Sequence, residues 1–114
     1  MDMNYSELDN GINLIKLSGI LNIIGTGEIE TKFNGYCTGD NIRVIVDLSA
    51  VDFLSSIGIR LLVLTAKSVA NRGGKMVLLS PSTEVQSVLE ITGIPTIIPM
   101  YSQLESAETV LLAS

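Results

Sequence analysis

The stretch Val44-Ile45-Val46-Asp47-Leu48-Ser49-Ala50-Val51-Asp52-Phe53-Leu54-Ser55-Ser56-Ile57-Gly58 decides how the chain is read. Its first part, entered from Arg43, is nearly continuous in apolar and β-branched residues. That is the composition of a strand covered by helices on its faces. Its last part runs into a segment where Ile59, Leu62, Val63, Ala66 and Ala70 recur at the i, i+3, i+4 spacing of one buried helical stripe. The sequence therefore predicts a strand over Arg43–Leu48, a loop over Ser49–Ser56 and a helix over Ile57–Asn71, stopped by Gly73-Gly74.

Downstream, Lys75–Leu79 repeats the buried-strand composition. Ser80-Pro81-Ser82 opens a helix to about Ile91, with Val85, Val88 and Leu89 as its apolar stripe and Gly93 as its stop. Thr96–Ile98 reads as a short last strand ahead of Pro99, and Ser102–Leu112 as an acidic amphipathic helix. Upstream, Asp9-Asn10-Gly11 lies between Asn4–Leu8 and Ile12–Leu17, and Asn-Gly between two short runs predicts a hairpin closed by a type I′ turn. Gly19–Gly27 reads as a loop, and Glu28–Tyr36 as a weak helix carrying Ile29 and Phe33 and bounded by Gly35 and Gly39. The fold class is α/β: a mixed sheet with an N-terminal antiparallel hairpin, then a parallel βαβαβ run with helices packed on it, in one domain spanning 1–114.

Composition narrows the function. The 114 residues are 46% apolar, enough for a core without metal or disulfide staples. Seven basic against 12 acidic residues give a net charge of -5, which argues against nucleic-acid binding. The lone Cys37 forms no internal disulfide and points to a reducing, cytoplasmic setting. The longest apolar run, Ile57–Ala66, is interrupted by Arg60 and falls short of the ~18 residues a membrane span needs, and the N-terminus has no signal-peptide pattern. The absence of histidine removes imidazole metal sites and serine–histidine triads.

Other chemistry is thin. Gly25-Thr26-Gly27-Glu28-Ile29-Glu30 lacks the third glycine of a dinucleotide fingerprint and places acids where a pyrophosphate would lie. Arg72-Gly73-Gly74-Lys75 ends a helix instead of opening one, so it is not a phosphate-binding loop. Cys37 has no neighbouring base and reads as structural. Asp47 and Asp52 read as capping or turn residues. No catalytic residue, cofactor or metal site is expected, and an enzymatic phosphoryl carrier would have to turn over without histidine or metal.

Ser55 and Ser56 are the exception. They fall beyond the carboxyl end of a predicted parallel strand, where open sheets place functional groups, and at a helix N-terminus, which favours an anion. A phosphate on Ser56 would add about -1.5 to -2 charges there. The plain alternative is that a serine, Ser56 in the predicted boundaries, is only the N-cap, worth about 1 kcal/mol. Gly58, a glycine in the first turn, costs helix stability and so suggests close approach by something else. Further along, Arg60, Leu64 and Lys67 share a helix face at i, i+4 and i+7. An apolar residue between two cations suits a docking strip for an acidic partner, with Asn22 and Ile23 contributing from the adjacent loop. A solvated face with one stray leucine explains the same residues.

Val44 to Gly58 resembles the signature of STAS domains, the fold of anti-sigma factor antagonists: an apolar strand ending in D-L, then roughly F-x-D-S-x-G before a helix. Ser18-Gly19, Gly73-Gly74-Lys75-Met76-Val77-Leu78, and Ser80-Pro81 through Val85, Leu89, Gly93 and Ile94 are similar to further family motifs, so the resemblance spans about Gly11 to Ile98. It implies a bacterial, non-enzymatic signalling protein of transcription regulation. The unphosphorylated form would bind a serine kinase that is also the anti-sigma factor. Phosphorylation of Ser56, with Ser55 as second candidate, would release it, and a phosphatase would reset it. The implied contact surface comprises Asn22, Ile23, Ser55, Ser56, Ile57, Gly58, Arg60, Leu64 and Lys67, on a monomer or weak dimer. The sequence departs from the pattern at Ser55, which stands in place of an aspartate, at Gly19-Ile20-Leu21-Asn22, which stands in place of G-E-L-D, and at Arg60, where a small or apolar residue is usual. These departures leave open a STAS scaffold or docking module that is not phosphorylated, in another signalling or transport-linked assembly.

Overall fold

A computed structural model describes residues 1–113. Strands β1 (Asp2–Glu7), β2 (Asn13–Leu21), β3 (Arg43–Leu54), β4 (Lys75–Leu79) and β5 (Met100–Tyr101) form one sheet in the order β1-β2-β3-β4-β5. The β1–β2 pair is antiparallel and every later pair is parallel. Helices α1 (Ile23–Tyr36), α2 (Ser56–Asn71) and α3 (Thr83–Ile91) pack on one face. Helix α4 (Leu104–Ala113) packs on the other, where Ala107 and Leu111 meet Ile45, Val77 and Leu79. The mixed α/β architecture expected from the sequence is the one observed.

Several boundaries move, each for a physical reason. The hairpin loop is not a type I′ turn: Gly11 (φ +84°) is left-handed and Asn10 is not. The Gly11 amide donates to the Leu8 carbonyl at 2.9 Å, and the Leu8 amide to the Ile12 carbonyl at 2.8 Å, so the glycine closes a longer turn. Asn10 instead reaches Glu108 of α4 through its side chain at 2.9 Å. The expected loop Gly19–Gly27 is partly strand and partly helix, since β2 continues to Leu21 and α1 begins at Ile23. The expected loop Ser49–Ser56 is mostly strand. β3 runs on to Leu54 because register shifts between Lys16 and Ser18, and between Gly19 and Ile20, let it accommodate extra residues against β2.

On α2 the buried positions are Gly58, Leu61, Leu62, Thr65, Ala66 and Val69. Ile59 and Val63 are only half-buried and Ala70 is exposed, so the stripe is rotated from the expected one. On α3, Val85 and Leu89 are buried and Val88 is exposed. Thr96–Ile98 is not a strand. A 3-10 turn occupies Ile94–Thr96, and pairing starts beyond it, where the Pro99 carbonyl accepts the Leu78 amide at 2.9 Å.

Helix α1 is a poor helix by composition and is held by where it lands. Its buried residues are Gly25, Thr26, Ile29 and Phe33. A Cβ on Gly25 would fall 2.0 Å from the Ile20 carbonyl oxygen, so the glycine lets the first turn press onto the end of β2. Gly27, two residues on and on the far side of the helix, has nothing within 4 Å of an added Cβ. Gly25→Ala should therefore cost about 1–3 kcal/mol through overpacking. Gly27→Ala should add about 0.5–1 kcal/mol through helix propensity. Urea unfolding of the two variants, side by side, checks the opposite signs.

Candidate functional site

The site lies where β2 and β3 end side by side. Leu21 pairs with Leu54 and Ile20 with Phe53. Both chains then turn into helices, with Asn22 capping α1 and Ser55 capping α2. The Asn22 Oδ1 accepts from the Gly25 amide at 2.8 Å. The Ser55 hydroxyl donates to the Leu21 carbonyl at 2.6 Å and accepts from the Gly58 amide at 3.4 Å. The Ser55 amide donates to the same Leu21 carbonyl at 3.0 Å. One serine thus fastens the start of α2 to the end of β2.

This corrects the expected capping. Ser55, not Ser56, is the N-cap, and Ser56 is the first helical residue. Ser56 is exposed, while Ser55 is half-buried with its hydroxyl engaged. The close approach inferred at Gly58 is internal. Gly58 is buried, and a Cβ there would meet Leu54 Cδ1 at 3.0 Å and the Leu21 carbonyl oxygen at 3.1 Å. It shapes the site from beneath and offers no surface.

The structure brings Asn22 and Ile23 to the same end of the sheet as Ser55, Ser56 and Ile57, because Ser55 is bonded to the residue before Asn22. Arg60, Leu64 and Lys67 are all exposed along α2, with Leu64 at 54%. Sequence reasoning missed Ile20, Ile24 and Phe53. Ile23 and Ile24 are 73% and 74% exposed and Phe53 is 51% exposed, so the strand ends and first helical turns at the same end of the sheet as Ser56 form a crest of uncovered apolar side chains. The Ile23-Ile24 pair carried a usable signal: neither has an apolar residue three or four positions on to continue a buried stripe. Phe53 carried none, because it fell in the expected loop Ser49–Ser56, whereas it lies in β3 and is half exposed.

The other residues singled out are structural. The Asp47 Oδ1 accepts the Ser49 amide at 2.9 Å, and Asp52 is exposed near the end of β3. Cys37 is buried, and its carbonyl accepts from Arg72, whose Nε also donates to the Gly39 carbonyl at 3.2 Å. Burial pushes the Cys37 thiol up to about 11 from its ordinary value of 9.0, against a smaller opposing pull from the Arg72 guanidinium. Among the described residues no group of three His, Cys, Asp or Glu is arranged to hold a metal ion, and no helix is long and apolar enough to cross a membrane.

Comparison with known proteins places the chain in a family. A family model described as STAS domain matches residues 6–107. BtrV of Bordetella bronchiseptica, whose name describes it as an anti-sigma factor antagonist, is 29% identical over 107 residues, covering 94% of this chain and 91% of BtrV. Among solved structures, an anti-sigma-factor antagonist (STAS) domain protein from Planctomyces limnophilus matches with a TM-score of 0.87 at 24% identity, over 100% of both chains. The anti-sigma factor antagonist SpoIIAA of Bacillus, in its unphosphorylated form, matches with a TM-score of 0.77 at 19% identity, over 96% of both chains. SpoIIAA has also been solved in a phosphorylated form, which matches at 0.67. At these identities the structural likeness establishes the fold.

Two outcomes follow from the geometry. Ser55→Ala removes a cap and a bond to a buried carbonyl, and should cost about 1–2 kcal/mol. Ser56→Ala, at an exposed first-turn position, should stay within about 0.5 kcal/mol of the parent. Thermal unfolding of both variants checks the contrast. For Cys37 the sign is fixed by the raised value: the unfolded thiol ionises near pH 9 while the folded one holds its proton to about 11. Stability present below pH 9 should be lost as pH rises through that interval, and Cys37→Ala should show a shallower decline in urea titrations at the same pH values.

Proposed function

This chain belongs to the STAS domain family, and on that premise we propose that it is an anti-sigma factor antagonist working by partner switching. Its unmodified form binds a serine kinase that is also the anti-sigma factor, and so frees a sigma factor. Phosphorylation of Ser56 rejects that partner, and a phosphatase restores binding. The contact surface is the apolar crest of Ile20, Ile23, Ile24, Phe53 and Ile57, flanked by Asn22 and by Arg60, Leu64 and Lys67 of α2.

The observation that carries the proposal is the division of labour between adjacent serines. Ser55 is bound in the fold, whereas Ser56 stands exposed in the crest, where a kinase can reach its hydroxyl. A dianion on Ser56 meets the positive end of α2 and leaves the fold intact. In a complex, the same dianion would be driven into an apolar contact that strips it of water, a cost the unmodified serine does not carry. That SpoIIAA exists in phosphorylated and unphosphorylated forms supports the same chemistry on this fold.

Intact mass spectrometry of the protein from its native cells should show a species heavier by about 80 Da, with the phosphate mapped to Ser56. Ser56→Ala should abolish that species and hold the partner constitutively in pull-downs, and Ser56→Asp should weaken capture. Phosphate on Ser55 would overturn the assignment. Capture of a partner with no phosphorylated species under any growth condition would favour a scaffold role instead.

A further inference from the structure

We propose that Arg60 is the receptor for the phosphate on Ser56, so that modification both adds a repulsive group to the binding surface and withdraws an attractive one. The inference rests on the phosphorylation of Ser56 proposed above and concerns what the phosphate then touches.

Ser56 is the first residue of α2 and Arg60 lies four residues on. At that spacing two helical side chains stand on one face, with Cβ atoms about 5–6 Å apart. Both are exposed. The Arg60 guanidinium enters no hydrogen bond or ion pair among the described residues. It contrasts with Arg72 at the far end of the same helix, whose guanidinium is held by the carbonyls of Cys37 and Gly39 and by Ser68. Around Ser56 the helix offers little else to a phosphate. The Gly58 and Ile59 amides are already taken by the Ser55 side chain and carbonyl, which leaves the amides of Ser56 and Ile57. Those two amides and a guanidinium one turn away form a set of donors for phosphate oxygens, and an arginine can engage them through two parallel N–H groups.

In the unmodified protein Arg60 projects beside Leu64 and Lys67, free to meet an acidic partner. Once phosphate arrives, the nearest dianion is on its own helix. The arginine folds back one turn, and the strip loses a cation as the crest gains about two negative charges.

The test uses the full chain with phosphoserine installed at position 56 during translation, so its outcome does not depend on any cellular kinase. The second ionisation of the phosphate is followed by 31P NMR titration at low salt. A guanidinium in contact holds the dianion and lowers the midpoint. Arg60→Gln should raise it by about 0.3–0.7 pH units, the size of an exposed helix ion pair. Arg60→Lys should restore part of the shift. Asp52 and Glu84, the carboxylates lining the cleft at this end of the sheet, are present in every variant. Lys67→Gln removes one charge about 16 Å along the helix from Ser56 and should leave the midpoint unchanged. Equal midpoints with and without Arg60, or equal shifts from Arg60→Gln and Lys67→Gln, would overturn the contact. Absence of phosphate on Ser56 in native cells would instead overturn the switching role, while the titration still reports on the contact.

Discussion

The Leu21 carbonyl is the point on which the functional end of this molecule turns. Two parallel strands end there, and a carbonyl at a strand terminus has no neighbouring strand to satisfy it. Ser55 supplies both bonds, from its amide at 3.0 Å and from its hydroxyl at 2.6 Å. Because Ser55 is also the cap of α2, satisfying that carbonyl fixes the helix start relative to β2. Gly25 and Gly58 then allow the first turns of α1 and α2 to close on the Ile20 and Leu21 carbonyls without a Cβ in the way. A larger side chain at either glycine would push a helix away from the strand ends and alter the crest above them.

The same constraint explains why a helix as weak as α1 persists. Its first five residues contain two isoleucines that face outward and two glycines. Neither local propensity nor an amphipathic pattern holds it, and short helices in water depend on tertiary packing. Here the packing comes from Ile29 and Phe33 in the main core and from the close seat of Gly25 on β2. Leaving Ile23 and Ile24 uncovered sacrifices apolar burial at this end. On the proposed reading, that uncovered area is what a partner covers.

Much of the fold was legible because its core strands and amphipathic helices are short-range patterns. Arg43–Leu48, Lys75–Leu79 and the α3 cap at Ser82 could be read from composition and punctuation. What could not be read was set by pairing at a distance. The extension of β3 through Phe53 depends on two register shifts against β2, and no local property of Ser49-Ala50-Val51 announces them. The α2 stripe was misplaced for a related reason. Apolar spacing cannot single out Gly58 and Thr65, which are buried by proximity, the first against Leu21 and the second through its bond to Asn34 at 3.1 Å. Of the site, the Ser55-Ser56 pair was visible in the sequence. Which of the two caps the helix required the Leu21 contact.

That last distinction has a consequence for how a switch can be built on a module this small. A phosphate on a capping serine would replace the hydroxyl that donates to a buried carbonyl, so modification would compete with folding itself. Moving the acceptor one residue along, to an exposed first-turn position, separates the two. The fold keeps its cap and the dianion gains from the helix dipole, by about 0.3–1 kcal/mol at an exposed site. The unfavourable part then appears only when a partner removes water from the phosphate. On this view the unmodified and modified proteins share one backbone, and discrimination between them needs no rearrangement of the fold, only the phosphate and the side chain that turns to meet it. It requires that the partner bury Ser56, which the exposed isoleucines and Phe53 at the same end of the sheet favour and which an acceptor on a polar, peripheral surface would not.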